Sequence, residues 1–226
     1  MSQNIDRISI QVGLSGYSFK IQSADDFKSS SWMSAERIFS TPEFLHRYDK
    51  VEISVFTPKF TLVPEQFNDD SDVTGMLGSV ADVDGNDEVL TASVPEFDAV
   101  LVYSNTIGET LSRAVSETVL DKEGNKIRPL PEMYYMLRSV LDLPDYNKIL
   151  ASYMDGVLYL VIAQGRTLLL CNSFQAPDFT TAQYFIFYTM KNLQLNPEVS
   201  TISFRTPLSE EDEMSLYRYF KNVELV

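Results

Sequence analysis

A chain of 226 residues with 44% apolar and 12% aromatic side chains has enough material for one large domain or two small ones, and its composition excludes wholesale disorder. Eighteen Lys and Arg against 32 Asp and Glu leave a formal charge of −14, which repels phosphate backbones and anionic headgroups, so neither nucleic acid nor a membrane surface is expected as a partner. Residues 1–7 have neither the basic start nor the apolar run of an export signal, and residues 157–163 are too few to span a bilayer, so a cytoplasmic location is expected.

In chain order, residues 7–12 read as a strand, 13–16 as a turn and 17–22 as the returning strand, with no evident third strand to complete a meander. A helical stretch is predicted over residues 31–48, broken at Thr41 and Pro42, then strands at 51–56 and 60–63. Residues 64–80 are predicted helical despite Gly75 and Gly78. Residues 82–87 read as an acidic turn, and 89–94 and 99–103 as strands. The one basic cluster, Lys122, Lys126 and Arg128, falls in a predicted loop at 120–131. Residues 132–141 read as the helix joining two halves, which divides the chain into a lobe at 1–127 and a lobe at 128–226 that includes this helix.

The second half is the more regular. Strands are predicted at 148–154, 157–163 and 167–173, with Asp155 and Gly156 at the first turn, a strong hairpin signal because both central positions of a type I′ turn take positive φ. Asp178 is placed to cap a helix over 179–195 that Asn196 and Pro197 stop. A strand at 200–205, a helix opened by Ser209 with three acidic residues behind it, and a strand at 223–226 follow. The order βββαβαβ predicts a mixed five-stranded sheet flanked by helices, as in ribonuclease H-like and actin-like lobes of α/β class.

Two apolar patterns carry further expectations. On the helix at 179–195, Phe179, Ala182, Ile186, Met190 and Leu193 form one stripe, and Tyr184, Tyr188 and Leu195 another. Such a helix is expected to be covered on both sides, by its own sheet and by the other lobe or a subunit interface, which makes a homodimer possible. Leu158, Leu160, Ile162, Leu168 and Leu170 are expected on shared buried faces, with Tyr159, Val161 and Leu169 covered from the opposite side.

Each lobe opens with a glycine-containing hairpin, and in actin-like ATPases such turns hold phosphates and a metal-bound water. The candidate cleft residues are therefore Gly13, Ser15 and Gly16 in the first lobe and Ser152, Asp155 and Gly156 in the second, with ATP and Mg as the ligand they would take. The chemistry is degenerate at the decisive places. Gln11 stands where a first-strand carboxylate belongs, Ser152 replaces an acidic residue, Met154 a glycine and Leu158 a hydroxyl residue. No catalytic residue, metal ligand or cofactor is assigned, and two-metal nuclease chemistry is disfavoured by the same positions. His46 is the only histidine, which rules out a histidine-rich metal centre, and the lone Cys171 reads as a core residue. The acidic runs at 68–72 and 82–87 lack the glutamate of a calcium loop at the required spacing and read as solvated turns.

Gly16 to Phe19, Phe60 to Pro64, Asn172 to Phe174, and Tyr184 with Leu193 to Leu195 together resemble the uncharacterised bacteroidete domain-of-unknown-function family 3822. That resemblance covers nearly the whole chain and implies two actin-like lobes, without established catalytic residues to carry over. Two functional readings follow. One is a non-catalytic binding or scaffold protein, a pseudoenzyme on a degenerate actin-like ATPase fold with a protein partner; the alternative is a nucleotide-binding enzyme or switch that uses the interlobe cleft. A small-molecule sensor in the same cleft is a third.

Overall fold

The computed structural model describes residues 6–14, 16–23, 26–105 and 109–226. Alternation of apolar and polar residues builds the first sheet. Strands β1 (Arg7–Val12) and β2 (Gly16–Gln22) pair antiparallel, and side chains that alternate along a strand put Ile8, Ile10, Val12, Tyr17 and Phe19 on one buried face. Two short strands, β3 (Phe27–Ser29) and β4 (Met33–Ser34), pair antiparallel with β2, so a meander does form here, completed by three exposed residues that carry no strand signature. β5 (Lys50–Val55) adds parallel to β1 and brings Val51, Ile53 and Val55 to the same core.

An excursion then leaves this sheet. β6 (Phe60–Pro64), α1 (Val73–Gly78), β7 (Val89–Val94) and β8 (Ala99–Ser104) form a separate antiparallel sheet of order β6-β8-β7, with Leu77 of α1 packed on Val100 and Val102. α2 (Glu109–Thr118) returns the chain to the first sheet, where β9 (Leu130–Pro131) pairs parallel with β5. α3 (Glu132–Ser139) then connects to the second half.

Two predicted helices in the first half are not continuous α-helices. Over residues 31–48 the chain forms β4 and two 3-10 turns, Ala35–Ser40 and Pro42–Leu45, because Pro42 cannot continue a helix; each turn buries one apolar residue, Ile38 and Phe44. Between 64 and 80 only α1 is an α-helix. Asp69 accepts from Ser71 N and Oγ at 3.0 and 2.6 Å in a local turn, and Asp72 then starts α1 by accepting from Gly75 N at 3.1 Å.

The second sheet is built from β10 (Asn147–Met154), β11 (Val157–Gln164) and β12 (Thr167–Gln175) as an antiparallel meander, then α4 (Phe179–Asn192), β13 (Thr201–Phe204), α5 (Glu210–Leu216) and β14 (Asn222–Leu225). Its order, β12-β11-β10-β13-β14, repeats the β3-β2-β1-β5-β9 order of the first, with antiparallel pairs on one side of the central strand and parallel pairs on the other. Asp178 and Ser209 cap α4 and α5 as predicted, accepting from Thr181 N and Asp212 N.

β11 is buried on both faces. Leu158, Leu160 and Ile162 join the core under α4 and α5, while Tyr159, Val161 and Ala163 join a core shared with α3 and the small sheet. A register shift between Ile162 and Ala163 pairs Leu170 with Ile162 but Leu168 with Ala163. Leu168 therefore packs on the α3 side and Leu169 under α4, the reverse of simple alternation. The second stripe of α4 also departs from expectation. Tyr184 and Tyr188 are 60% and 51% exposed, stacked on each other at 5.9 Å, and the other lobe does not cover them.

Candidate functional site

The alternation that buries Ile8, Ile10 and Val12 sends Arg7, Ser9 and Gln11 to the opposite face of the first sheet. Register places Gln22, Lys20 and Ser18 of β2 on one side of them and Lys50, Glu52 and Ser54 of β5 on the other. This continuous polar face does not look into water. Gln11, Ser18, Glu52 and Ser54 are buried, because the N-terminus of α3 and the end of β13 close over them.

At the centre lies Glu132, the first residue of α3, fully buried. Its Oε1 accepts from Gln11 Nε2 at 3.0 Å, Ser152 Oγ at 2.7 Å and Arg205 Nε at 2.8 Å, and Ser18 Oγ donates to the other end of the Gln11 amide at 3.3 Å. Burial works to raise the Glu132 pKa, but the Arg205 charge and the hydrogen bonds from Arg205 and Ser152 outweigh it and hold the carboxyl below its usual range. The nearby Ser54 hydroxyl acts in the same direction, and it and Glu132 Oε2 have no hydrogen-bond partner among the described residues.

The role of Gln11 follows from this arrangement. An amide can donate to Glu132 and accept from Ser18 at once, whereas a carboxylate at the same place would face a second carboxylate across about 3 Å and force one of them to take a proton. Gln11 and Ser152 thus converge from the two lobes on one carboxylate, and Arg205 neutralises it. Neither Glu132 nor Arg205 is marked by the sequence alone. They stand 73 positions apart, and only the topology brings them together.

The hairpin turns meet directly. Asp155 and Gly156 have φ of 51° and 74°, the type I′ geometry that an Asp and Gly pair favours, and Asp155 Oδ2 accepts from Leu14 N at 2.8 Å across the lobes. A Cβ on Gly13 would sit 2.7 Å from that carboxylate oxygen, and one on Gly16 only 2.1 Å from the Met33 carbonyl. Close packing against Asp155, Trp32 and β4 accounts for both glycines. Ser152 belongs to the Glu132 network, and Ser15 lies outside the described residues.

Two cavities open from the polar face, the first running along β1 from Arg7 to Gln11 and the second at its Arg7 end, and none of Gly13, Gly16, Ser152, Asp155 or Gly156 lines either one. The first, about 390 Å³, has an apolar wall of Phe19, Phe27, Leu143, Pro144 and Leu150. The second, about 310 Å³, is walled mainly by charged groups. Arg7, Ser139, Asp142 and Arg205 line both, so the two are arms of one groove. At its floor, Lys20 Nζ donates to the Arg205 carbonyl at 3.0 Å and to Val226 O, and burial and the Arg205 charge lower its pKa to about 8 against the opposing pull of Glu132.

Other candidates have local explanations. Asp87 of the acidic turn accepts from Lys59 Nζ at 2.8 Å, Ser104 Oγ at 2.6 Å and Asp84 N at 2.9 Å, which hold its pKa far below the carboxylate range. Lys122 pairs with Asp49 and Lys126 with Glu117, while Arg128 donates to Tyr103 Oη at 3.1 Å. His46 is exposed at the end of a 3-10 turn, and burial pushes the half-buried Cys171 thiol up to about 12. Among the described residues, no group of three His, Cys, Asp or Glu side chains is placed to hold a metal ion, and no helix is long and apolar enough to cross a membrane.

Over residues 6–223 the sequence matches the family described as "Protein of unknown function (DUF3822)". The chain belongs to that family. No curated protein matches it. Among solved structures, this DUF3822 chain is similar to a Bacteroides thetaiotaomicron protein with actin-like ATPase fold and unknown function, at 17% identity and a TM-score of 0.66, covering 99% of this chain and 91% of that one. It is also similar to a chain of the PilM-PilN type IV pilus biogenesis complex, at 13% identity and a TM-score of 0.52, covering 99% and 88%. The cytoplasmic domain of EpsL, from the type II secretion system of Vibrio cholerae, follows at 13% identity and a TM-score of 0.47, covering 91% and 83%. The DUF3822 chain has the actin-like ATPase fold.

Proposed function

We propose that this chain is a non-catalytic, protein-binding scaffold that keeps the actin-like architecture without its phosphate chemistry. The observation that carries the reading is the commitment of Glu132. The carboxylate at the convergence of the two lobes is fully buried, its charge is balanced by Arg205 and its Oε1 is taken by Arg205, Gln11 and Ser152, and the two positions that would add carboxylates for a metal ion carry an amide and a hydroxyl instead. The direct bond between Leu14 and Asp155, where the hairpins would need to admit phosphates, supports the same reading. A protein partner is supported by the uncovered aromatic pair Tyr184 and Tyr188, a residue type enriched in the buried centres of interfaces, and by the fold's occurrence in a PilM-PilN complex.

The test is thermal melting and phosphate release with Mg-ATP on the purified chain. A ligand at a hundred times its dissociation constant stabilises by about 2.7 kcal/mol, so an unshifted transition at millimolar Mg-ATP with no turnover is the expected result. The alternative, a nucleotide-dependent enzyme or switch in the interlobe cleft, requires a shift of several degrees. Mg-dependent hydrolysis that Asp155→Ala abolishes would overturn the scaffold reading.

A further inference from the structure

Five of the chain's 18 Lys and Arg side chains, Arg7, Lys50, Arg138, Arg166 and Arg205, line the second arm of the groove, against the three carboxylates of Glu52, Glu96 and Asp142. With Glu132, which Arg205 already neutralises, the balance is five cations against four carboxylates, a small local excess of positive charge in a protein of charge −14. The pairing within it is incomplete. Glu52 serves both Arg7 and Lys50, Glu96 pairs with Arg138 at 3.0 Å, and Arg166 has no ion-pair partner among the described residues. Arg205 spends its Nε on Glu132 and only a long 3.5 Å contact from Nη1 on Ser139, so the rest of its fork is free to donate. Four of the five cations are guanidinium groups, whose planar forks match the oxygens of phosphate, and they come from β1, α3, the β11–β12 turn and the residue after β13. That distribution suits one compact polyanion held from several sides.

The first arm meets this one at Arg7 and Arg205 and is walled by Phe19, Phe27, Leu143 and Leu150. A groove with a cationic end and an apolar end selects a ligand with both characters, and each arm is within the size range of small-molecule sites. We propose that the groove binds a small organic phosphate, its phosphoryl group among Arg7, Arg138, Arg166 and Arg205 and its apolar body against Phe27 and Leu150. Extended polyanions are excluded because the acidic remainder of the surface repels them. The site is not the place where hairpin turns would hold a triphosphate. The cationic arm that takes the phosphoryl group opens at Arg7, about 16 Å along β1 from the turn that follows Val12. The proposal is independent of the scaffold reading, since a ligand here needs no metal and undergoes no reaction.

The experiment is calorimetric titration of the intact chain with 1-naphthyl phosphate, inorganic phosphate and 1-naphthol. Naphthyl phosphate is expected to bind most tightly, inorganic phosphate measurably but more weakly, naphthol most weakly, and both phosphates less as salt is raised. Arg166→Ala and Arg138→Ala, both at solvent-facing positions, should each weaken the two phosphates by about tenfold, the loss of one charge-assisted contact. Phe27→Ala, at a residue 63% exposed and so harmless to folding, should weaken naphthyl phosphate alone. No heat from either phosphate at millimolar concentration, or binding that both arginine variants leave unchanged, overturns the proposal. Naphthol binding as tightly as its phosphate overturns the anion assignment, and an unaffected Phe27→Ala overturns the apolar arm. Mg-ATP turnover, in contrast, would leave this proposal standing while removing the scaffold reading.

Discussion

Gln11 shows how a residue read as a missing metal ligand takes its meaning from a neighbour far along the chain. Its amide satisfies Glu132 and Ser18 together, and Glu132 in turn holds Arg205 at the joint between the lobes. Replacing Glu132 by Gln preserves shape but leaves Arg205 beside an uncharged amide in a buried site, so a loss of about 3–5 kcal/mol is expected in urea unfolding. The double change Glu132→Met with Arg205→Met should cost less than the sum of the two single changes; additive losses would show that the pair is not coupled. Its pH signature has a definite sign. A carboxyl whose folded pKa is depressed contributes stability that is complete above the unfolded value near 4.3 and is lost as pH falls through the folded one. The native chain should therefore lose stability below about pH 4 more steeply than Glu132→Gln, and parallel curves would refute the ionised state of Glu132.

Among the elements, β11 and α4 carry the contrast between burial and exposure. Leu160 lies fully buried at the middle of a strand covered on both faces, so Leu160→Ala is expected to cost about 2–5 kcal/mol by equilibrium unfolding. A loss below half a kcal/mol would place the strand at an edge. Tyr184 and Tyr188, one helix away, should behave oppositely: the double change to Ala is expected to alter stability by about 1 kcal/mol or less in the same unfolding measurement. The periodicity of α4 made both stripes legible, but not what covers the second. A stripe of tyrosines looks the same in sequence whether a lobe, a partner or water faces it. The exchanged faces of Leu168 and Leu169 are of the same kind, since a bulge adds one residue to one strand without any signature in the apolar pattern.

For the whole molecule, the contact between the two hairpins sets how the lobes meet at that end. Asp155→Ala removes both the acceptor for Leu14 N and a residue suited to positive φ, so a destabilisation of about 1–2 kcal/mol is expected, with no change in nucleotide response. An Asn at the same position, which tolerates that backbone and still offers an acceptor, should recover most of the loss; failure to do so would mean that the charge of Asp155, and not its geometry, matters. The repeated strand order of the two sheets goes with separate cores: each sheet buries one face under its own helices and turns, and the other face of the second sheet packs on α3 and the small inserted sheet.

The second sheet was legible element by element because its strands are long, its turns carry Asp and Gly, and its helices begin at Asp178 and Ser209; these are local signals, complete within a few residues. In the first half the same topology is carried by a three-residue strand, two 3-10 turns and an inserted sheet, whose segments are too short to state their own partners. The polar period of β1, β2 and β5 was present in the sequence too, but alternation says only that Gln11, Glu52 and Ser54 share a face. That this face is buried against Glu132 and Arg205, and that its open end gathers arginines from four elements, depends on long-range packing. Distant positions acquire a common electrostatic environment only once the chain has closed on itself.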